Sequence, residues 1–303
     1  ADTTTVDITA GGDLTADDTV TAQTDVTTES GGSTSLNAAV TATTGMIDAT
    51  AGMNAATDAN GTLTAADGIA VAADNNAAFQ ADITADSDGD NTGNAVLTAD
   101  ADASSAGDLT MGAGVTVTGE NIAASGYDAQ TSILTGVTNV TVTAENDIEI
   151  SEALTAQTGS ATVTAGEDVT GAAAGDIDGN DVAITGEQGD VTLAGTVTAD
   201  TTTVDITAGG DLTADDAVTA QTDVTTESGQ DTMFNADITA LEGNAMVIAG
   251  EDVILDNGAV LLADDTDADG VARVIAEAGG DFLMRNGTVV TADGTGLEVV
   301  DIL

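Results

Sequence analysis

The chain has 303 residues, 53 of them acidic and only two basic (Arg273 and Arg285), with no His, Cys, Pro or Trp and a formal net charge of −51. Two cations cannot assemble the phosphate-neutralising surface that nucleic-acid binding requires, and anionic membranes are excluded as partners by the same count. Without His, Cys or Lys the usual nucleophile activators, thiolates, Schiff-base amines and imidazole metal ligands are missing, so any catalysis would fall to carboxylates and hydroxyls.

Taken in chain order, the first signal is alternation. Thr5-Val6-Asp7-Ile8-Thr9 places β-branched residues at every second position, the pattern of a half-buried strand. It lies in the segment 1–31, ADTTTVDITAGGDLTADDTVTAQTDVTTESG, which recurs at 199–229 with Thr19 against Ala217 as the one difference. The correspondence continues at the same offset through Asn37-Ala38 and Asn235-Ala236, and through Ala51-Gly52 and Ala249-Gly250. Residues 1–67 and 199–265 are therefore expected to be copies of one 198-residue super-repeat within a single continuous architecture spanning 1–303.

A shorter phrase runs through both copies. It occurs as DITAGGDLT (7–15), DATAGMNAA (48–56), TVTAENDIE (141–149), TVTAGEDVT (162–170), DITAGGDLT (205–213), MVIAGEDVI (246–254) and IAEAGGDFL (275–283). Its central Ala falls at 10, 51, 144, 165, 208, 249 and 278. The steps of 41, 93, 21, 43, 41 and 29 residues correspond to two, four, one, two, two and one rungs of roughly 20–29 residues. Short strands punctuated by Gly, Asn and Asp at that period predict an all-β fold: a β-helix, or β-solenoid, of about 13–14 coils. No stretch holds an apolar stripe at helical spacing.

The thin apolar content agrees with this fold. There are 28 Val, 16 Ile, 16 Leu and 3 Phe, about a fifth of the chain and close to the level of disordered polyanions. A narrow solenoid interior needs only four or five such residues per coil. Pro, which removes a ladder donor, is absent. A sandwich of short strands would explain the alternation but not the recurring phrase.

VDITAGGDLTADDTVTAQTDVTT and VTVTAENDIEISEALTAQTGSATVTAGEDVT resemble the degenerate coils of filamentous-haemagglutinin-type adhesins. The resemblance implies a right-handed parallel β-helical shaft, an extracellular or cell-surface location, and export through a separate outer-membrane partner. Residue 1 aligns with Ala199, inside the repeat, so the 303 residues are expected to belong to a longer repetitive polypeptide. The apolar ending Gly296-Leu297-Glu298-Val299-Val300-Asp301-Ile302-Leu303 leaves two expectations open, continuation of the chain and end-to-end self-association. Neither nucleic acid nor membrane insertion is expected, and no host or matrix ligand is indicated.

Three segments space carboxylates at alternate positions, as calcium loops do: Asp86, Asp88 and Asp90; Asp176, Asp178 and Asp181; and Asp265, Asp267 and Asp269. The third has Gly at position six but Ala276 where a bidentate Glu would stand, and the other two lack the Gly. Ca2+ is thus the one candidate cofactor, against solvated turn carboxylates as the alternative; no organic cofactor is indicated. A carboxylate pair could cleave a glycosidic bond, but Phe79, Phe234, Phe282 and Tyr127 are the only aromatic residues for a sugar platform. Thr116-Val117-Thr118, Thr141-Val142-Thr143, Thr162-Val163-Thr164 and Thr196-Val197-Thr198 have the form of ice-binding triplets at spacings of 25, 21 and 34, too uneven for one array. The expected function is therefore a non-enzymatic extracellular rod or filament, with a polysaccharide-acting enzyme and an ice-binding solenoid as alternatives.

Overall fold

The alternating segments form strands, and every described strand pair with a defined register runs parallel, as a chain winding in one direction requires. A computed structural model describes residues 4–103, 107–265, 272–285, 287–294 and 299–303. The chain is all-β among the described residues and makes about 12 turns of parallel β-solenoid. It divides into two compact units, Ala1–Gln157 and Thr158–Leu303.

Each coil carries three strands. In the first unit the opening coil contains Val6–Ala10, Leu14–Ala16 and Val20–Ala22, which we assign to the first, second and third faces. The next contains Val26–Ser30, Thr34–Leu36 and Val40–Ala42 in the same order. Register is fixed by inward apolar residues: Val6, Val26, Ile47, Ile69, Ala95, Ile122 and Val140 stand in one column of the first face. In the second unit Ala161, Val182, Val204, Val224, Ala245 and Val274 form the equivalent column. A one-residue slip would turn such a column towards water, so alternation alone specifies the pairing strongly.

Coil length varies without disturbing these columns. The coil that leads from Ile122 to its partner Val140 is short, whereas the one that leads from Ala245 to its partner Val274 is long. The extra residues leave at corners; in the first unit residues 85–93 form one such excursion, and another begins at Ala99. Elsewhere a corner disappears. Thr116–Gly126 and Ile133–Ala144 run from the third face to the first as continuous strands, with a register shift between Gly119 and Asn121 where the chain bends.

The interior is filled by Val, Ile, Leu and Ala, with Phe79 and Phe234 as its largest fully buried side chains. Polar residues enter it at repeated places. Ser30 Oγ bonds Thr34 Oγ1 at 2.9 Å and Ser228 Oγ bonds Thr232 Oγ1 at 2.7 Å, all four residues being buried. Thr28 and Thr226 are buried beside these pairs with hydroxyls that find no hydrogen-bond partner among the described residues. The central Ala residues of the recurring phrase occupy an inward column at the end of the first face: Ala10 leads through Ser30 to Ala51, and Ala165 through Gly186 to Ala208. The phrase is the corner between the first and second faces.

Candidate functional site

Most of the chain's chemistry sits at that corner. In the second unit Asp168, Asp190, Asp211, Asp231, Asp252 and Asp281 succeed one another coil by coil. The Oδ1 of each accepts the backbone N–H of the next, at 2.8, 2.8, 3.0, 3.0 and 2.7 Å. The first unit builds the same column from a wider set of acceptors. Asp13 accepts from Ser33 at 2.9 Å, Asn54 from Asn76 at 3.2 Å, Asn76 from Asp108 at 2.9 Å and Asp128 from Asp147 at 3.1 Å.

Glycine makes room for this. A Cβ at Gly210 would lie 2.2 Å from Asp190 Oδ1, and one at Gly229 would lie 2.1 Å from the carbonyl oxygen of Gly209. The Gly-rich turn therefore lets successive backbones and carboxylates approach, and the Asp that follows supplies both the donor to the coil before and the acceptor for the coil after. An N–H bonded to a carboxylate is among the stronger hydrogen bonds of a protein, so the turn acids tie coil to coil.

The other corners repeat the device. Asp223 accepts the N–H of Asn244 at 2.7 Å and its side-chain amide at 3.0 Å, while Asp82 and Asp237 accept from Thr116 and Val260, each at 2.9 Å. Asp17 and Asp215, one super-repeat apart, accept the amides of Asn37 and Asn235 at 2.8 and 2.7 Å. Sequence alone places these carboxylates in solvated turns. Their donors stand a full coil away along the chain, and nothing local identifies them.

The three expected metal segments fare differently. Asp86, Asp88 and Asp90 lie on the 85–93 excursion with carboxylate oxygens all within 4.8 Å of one another, the one such acidic group among the described residues. Asp86 caps the loop by accepting from Gly89 and Asn91 at 3.2 and 3.1 Å, and Asp90 accepts the Thr92 hydroxyl at 2.6 Å. Gly89 and Asn91 adopt positive φ, 74° and 61°, as this tight turn demands. Asp86 also lines a cleft of about 150 Å³ with Thr118, Gly119, Thr135, Val137 and Gln157.

Asp176, Asp178 and Asp181 are not gathered in this way. Asp176 accepts the N–H and hydroxyl of Thr196 at 2.8 and 2.9 Å, and Asp181 accepts the hydroxyls of Thr202 and Thr203 at 3.0 and 2.8 Å. Asp178 lies between them on the strand Ile177–Gly179, in register with Thr198 of the next coil. Burial pushes its carboxyl above the usual range, the charges of Asp200 and Asp176 add to the effect, and a hydrogen bond from the Gly179 backbone opposes it. Of the last set, Asp267 and Asp269 lie outside the described residues, and Asp265 closes the strand Val260–Asp265.

Glu152 shows the opposite shift. The Ser132 hydroxyl and the Gly114 N–H, the latter at 2.9 Å, both donate to its Oε2 and hold its carboxyl below the usual range. Glu120 differs again: Thr138 donates to its Oε1 at 2.6 Å, while its Oε2 is buried without a partner among the described residues.

The Thr-Val-Thr triplets divide between faces, with 116–118 and 196–198 on the third and 141–143 and 162–164 on the first. Uneven sequence spacing does not, however, imply uneven spacing in space. On the third face of the first unit Thr21 leads through Thr41, Thr64, Thr84, Thr118 and Thr135 to Thr155, one outward hydroxyl per coil. The insertions that spoil the periodicity leave at corners, outside this column.

Compared with protein-family models, curated proteins and solved structures, the chain finds no match.

Proposed function

We propose that this chain is a non-enzymatic structural protein, an extracellular solenoid serving as the shaft of an adhesin or the body of a surface filament. The supporting observation is where the carboxylates are used. Acids that could form a cleft are instead distributed at corners, each bonded to the backbone of the following coil. Such a design extends by repetition, since each coil contacts only its neighbours and length scales with coil number. The filamentous-haemagglutinin-like sequence pattern supports the same reading and suggests the cell surface as its place.

Electron microscopy of the native material tests it. Uniform fibres with an axial repeat support a filament, and single rods with a distinct head support an adhesin shaft. Compact particles would contradict both. Hydrolysis of an acidic or neutral polysaccharide by the purified chain, abolished by a single carboxylate substitution, would replace the structural reading by an enzymatic one.

A divalent cation, Ca2+ first, belongs to this proposal at Asp86, Asp88 and Asp90. Removal of self-repulsion by salt stabilises any chain of charge −51. A site must do more: at matched ionic strength, calcium should raise the melting temperature further, and Asp88→Asn should remove that increment while leaving the sodium effect. Equal effects of calcium and sodium would leave the loop a solvated turn.

A further inference from the structure

Three Asn-x-Thr triplets stand in the chain, Asn60-Gly61-Thr62, Asn139-Val140-Thr141 and Asn286-Gly287-Thr288. This is the acceptor pattern of asparagine-linked glycosylation, which excludes only Pro at the middle position. The fold separates the three. Asn139 belongs to the strand Ile133–Ala144, where its Nδ2 donates to Asn121 Oδ1 at 2.9 Å, and that nitrogen is the atom a sugar would take. Asn286 lies outside the described residues.

Asn60 is placed otherwise. In the coils before and after, residues 37–39 and 80–82 link the second face to the third, whereas here the longer segment 58–62 does so. The added length folds into a turn closed by the Gly61 N–H on the Asp58 carbonyl at 3.0 Å, and the Asp58 carboxylate accepts the Asn60 N–H at 2.8 Å. Backbone and Asp58 hold the turn, so the Asn60 amide and the Thr62 hydroxyl are left without a hydrogen-bond partner among the described residues. Asp58, Ala59 and Asn60 are all exposed. Coils stack about 4.8 Å apart, no more than the width of a sugar ring. A glycan therefore fits only on a side chain that stands clear of the columns above and below, as Asn60 does and Asn139 does not.

We propose that Asn60 carries an N-linked glycan, placed by an external transferase from a glycosyl diphosphate donor. The Asn60 Nδ2 bonds to the anomeric carbon and the bond from that carbon to the diphosphate breaks. The diphosphate leaves with the electron pair, and Nδ2 gives up one proton. Thr62 is the hydroxyl residue that completes the acceptor triplet. Asparagine-linked glycans are placed on exported chains, so the assignment rests on the extracellular location proposed for this one.

Mass spectrometry of the native chain tests it. Cleavage before Asp releases the peptide 58–66, DANGTLTAA, and the peptide 128–146 that holds Asn139. The first should carry at least one hexose or N-acetylhexosamine, located on Asn60 by electron-transfer fragmentation, and the second should be bare. In chains expressed in the same cells, Thr62→Ala should abolish the sugar and Thr62→Ser should keep it, both with an unchanged circular dichroism spectrum. A bare Asn60 in the native chain would overturn the proposal. So would conversion of Asn60 to Asp with no sugar, a sugar that survives Thr62→Ala, or equal occupancy at Asn139. Immunogold labelling of the same cells keeps the two readings apart: a surface-located chain with a bare Asn60 overturns the glycan alone, whereas a bare chain confined to the cytoplasm overturns the extracellular reading with it.

Discussion

Residues 4–31 and 202–229 differ at one position, Thr19 against Ala217, yet their inward side chains meet different surroundings. Val204, Ile206 and Ala208 are at most 3% exposed, whereas Val6, Ile8 and Ala10 are only half-buried. One coil further on, the difference is gone: Val26–Ser30 and Val224–Ser228 share one burial pattern, and Ser30–Thr34 and Ser228–Thr232 make the same buried hydrogen bonds. Strand boundaries and corner hydrogen bonds are a property of the sequence and repeat from one copy to the other. Burial is a property of the neighbouring coil. The 204–220 coil has one on each side, while the 6–22 coil is paired on one side only among the described residues.

The largest expected effect comes from emptying the interior on the covered side of that comparison. Ile206→Ala should destabilise the chain by about 2–5 kcal/mol, the range for a fully buried aliphatic side chain. Thermal unfolding followed by circular dichroism checks it, and a loss well below that range would mean that this coil is not covered by its two neighbours.

Thr28 and Thr226 sharpen it by equality. Each buries an unpaired hydroxyl between covered coils, so Thr28→Val and Thr226→Val should each stabilise by about 1–2 kcal/mol, and by the same amount. A gain at only one of them would mean that the two copies do not share an interior.

The corner tethers come next. Asp13→Ala and Asp211→Ala remove the acceptors for Ser33 and Asp231, and each should cost about 1 kcal/mol. The Asn variants keep an acceptor while relieving like-charge repulsion, so they should be neutral or mildly stabilising at low salt.

The smallest effect is at Asp178, where neighbouring coils carry Thr198 and Thr219. Its raised carboxyl means that the folded chain keeps this proton at pH values where the unfolded chain has lost it. Stability at this residue therefore falls as pH rises from the ordinary carboxylate range through the raised value. Asp178→Thr should stabilise at neutral pH by up to about 1 kcal/mol. The gain should shrink below about pH 3, where the carboxyl is protonated in both states and only the difference in strand propensity remains. A gain that persists unchanged at low pH would assign it to strand propensity alone.

Much of this architecture is legible in the chain itself. Alternation at Val6 and Ile8 predicts strands, and the recurring phrase predicts a corner whose rung count holds: between Ala10 and Ala51 the structure places one further coil, as a step of two rungs implies. What escapes a reading of the sequence is the partner of each acid. Whether Asp190 dissolves in water or receives the N–H of Asp211 depends on the length of the intervening coil and on the space left by Gly210. Neither is a local pattern. For the same reason alternate spacing at 176–181 suggests a convergence that the fold denies, since Asp178 projects from a strand and Asp181 opens the next face. In the 85–93 excursion no strand intervenes, and there the spacing does bring three carboxylates together.

Amide hydrogen exchange, resolved by residue on the full chain, addresses the stacking of coils most directly. Protection should be equal in Val26–Ser30 and Val224–Ser228, each of which is paired with a coil on both sides, and Ile206→Ala should weaken it in Val224–Ser228 while leaving Val26–Ser30 unchanged. Unequal protection of these two strands in the unaltered chain, or equal weakening of both in the variant, would contradict a solenoid whose coils are stabilised by their neighbours.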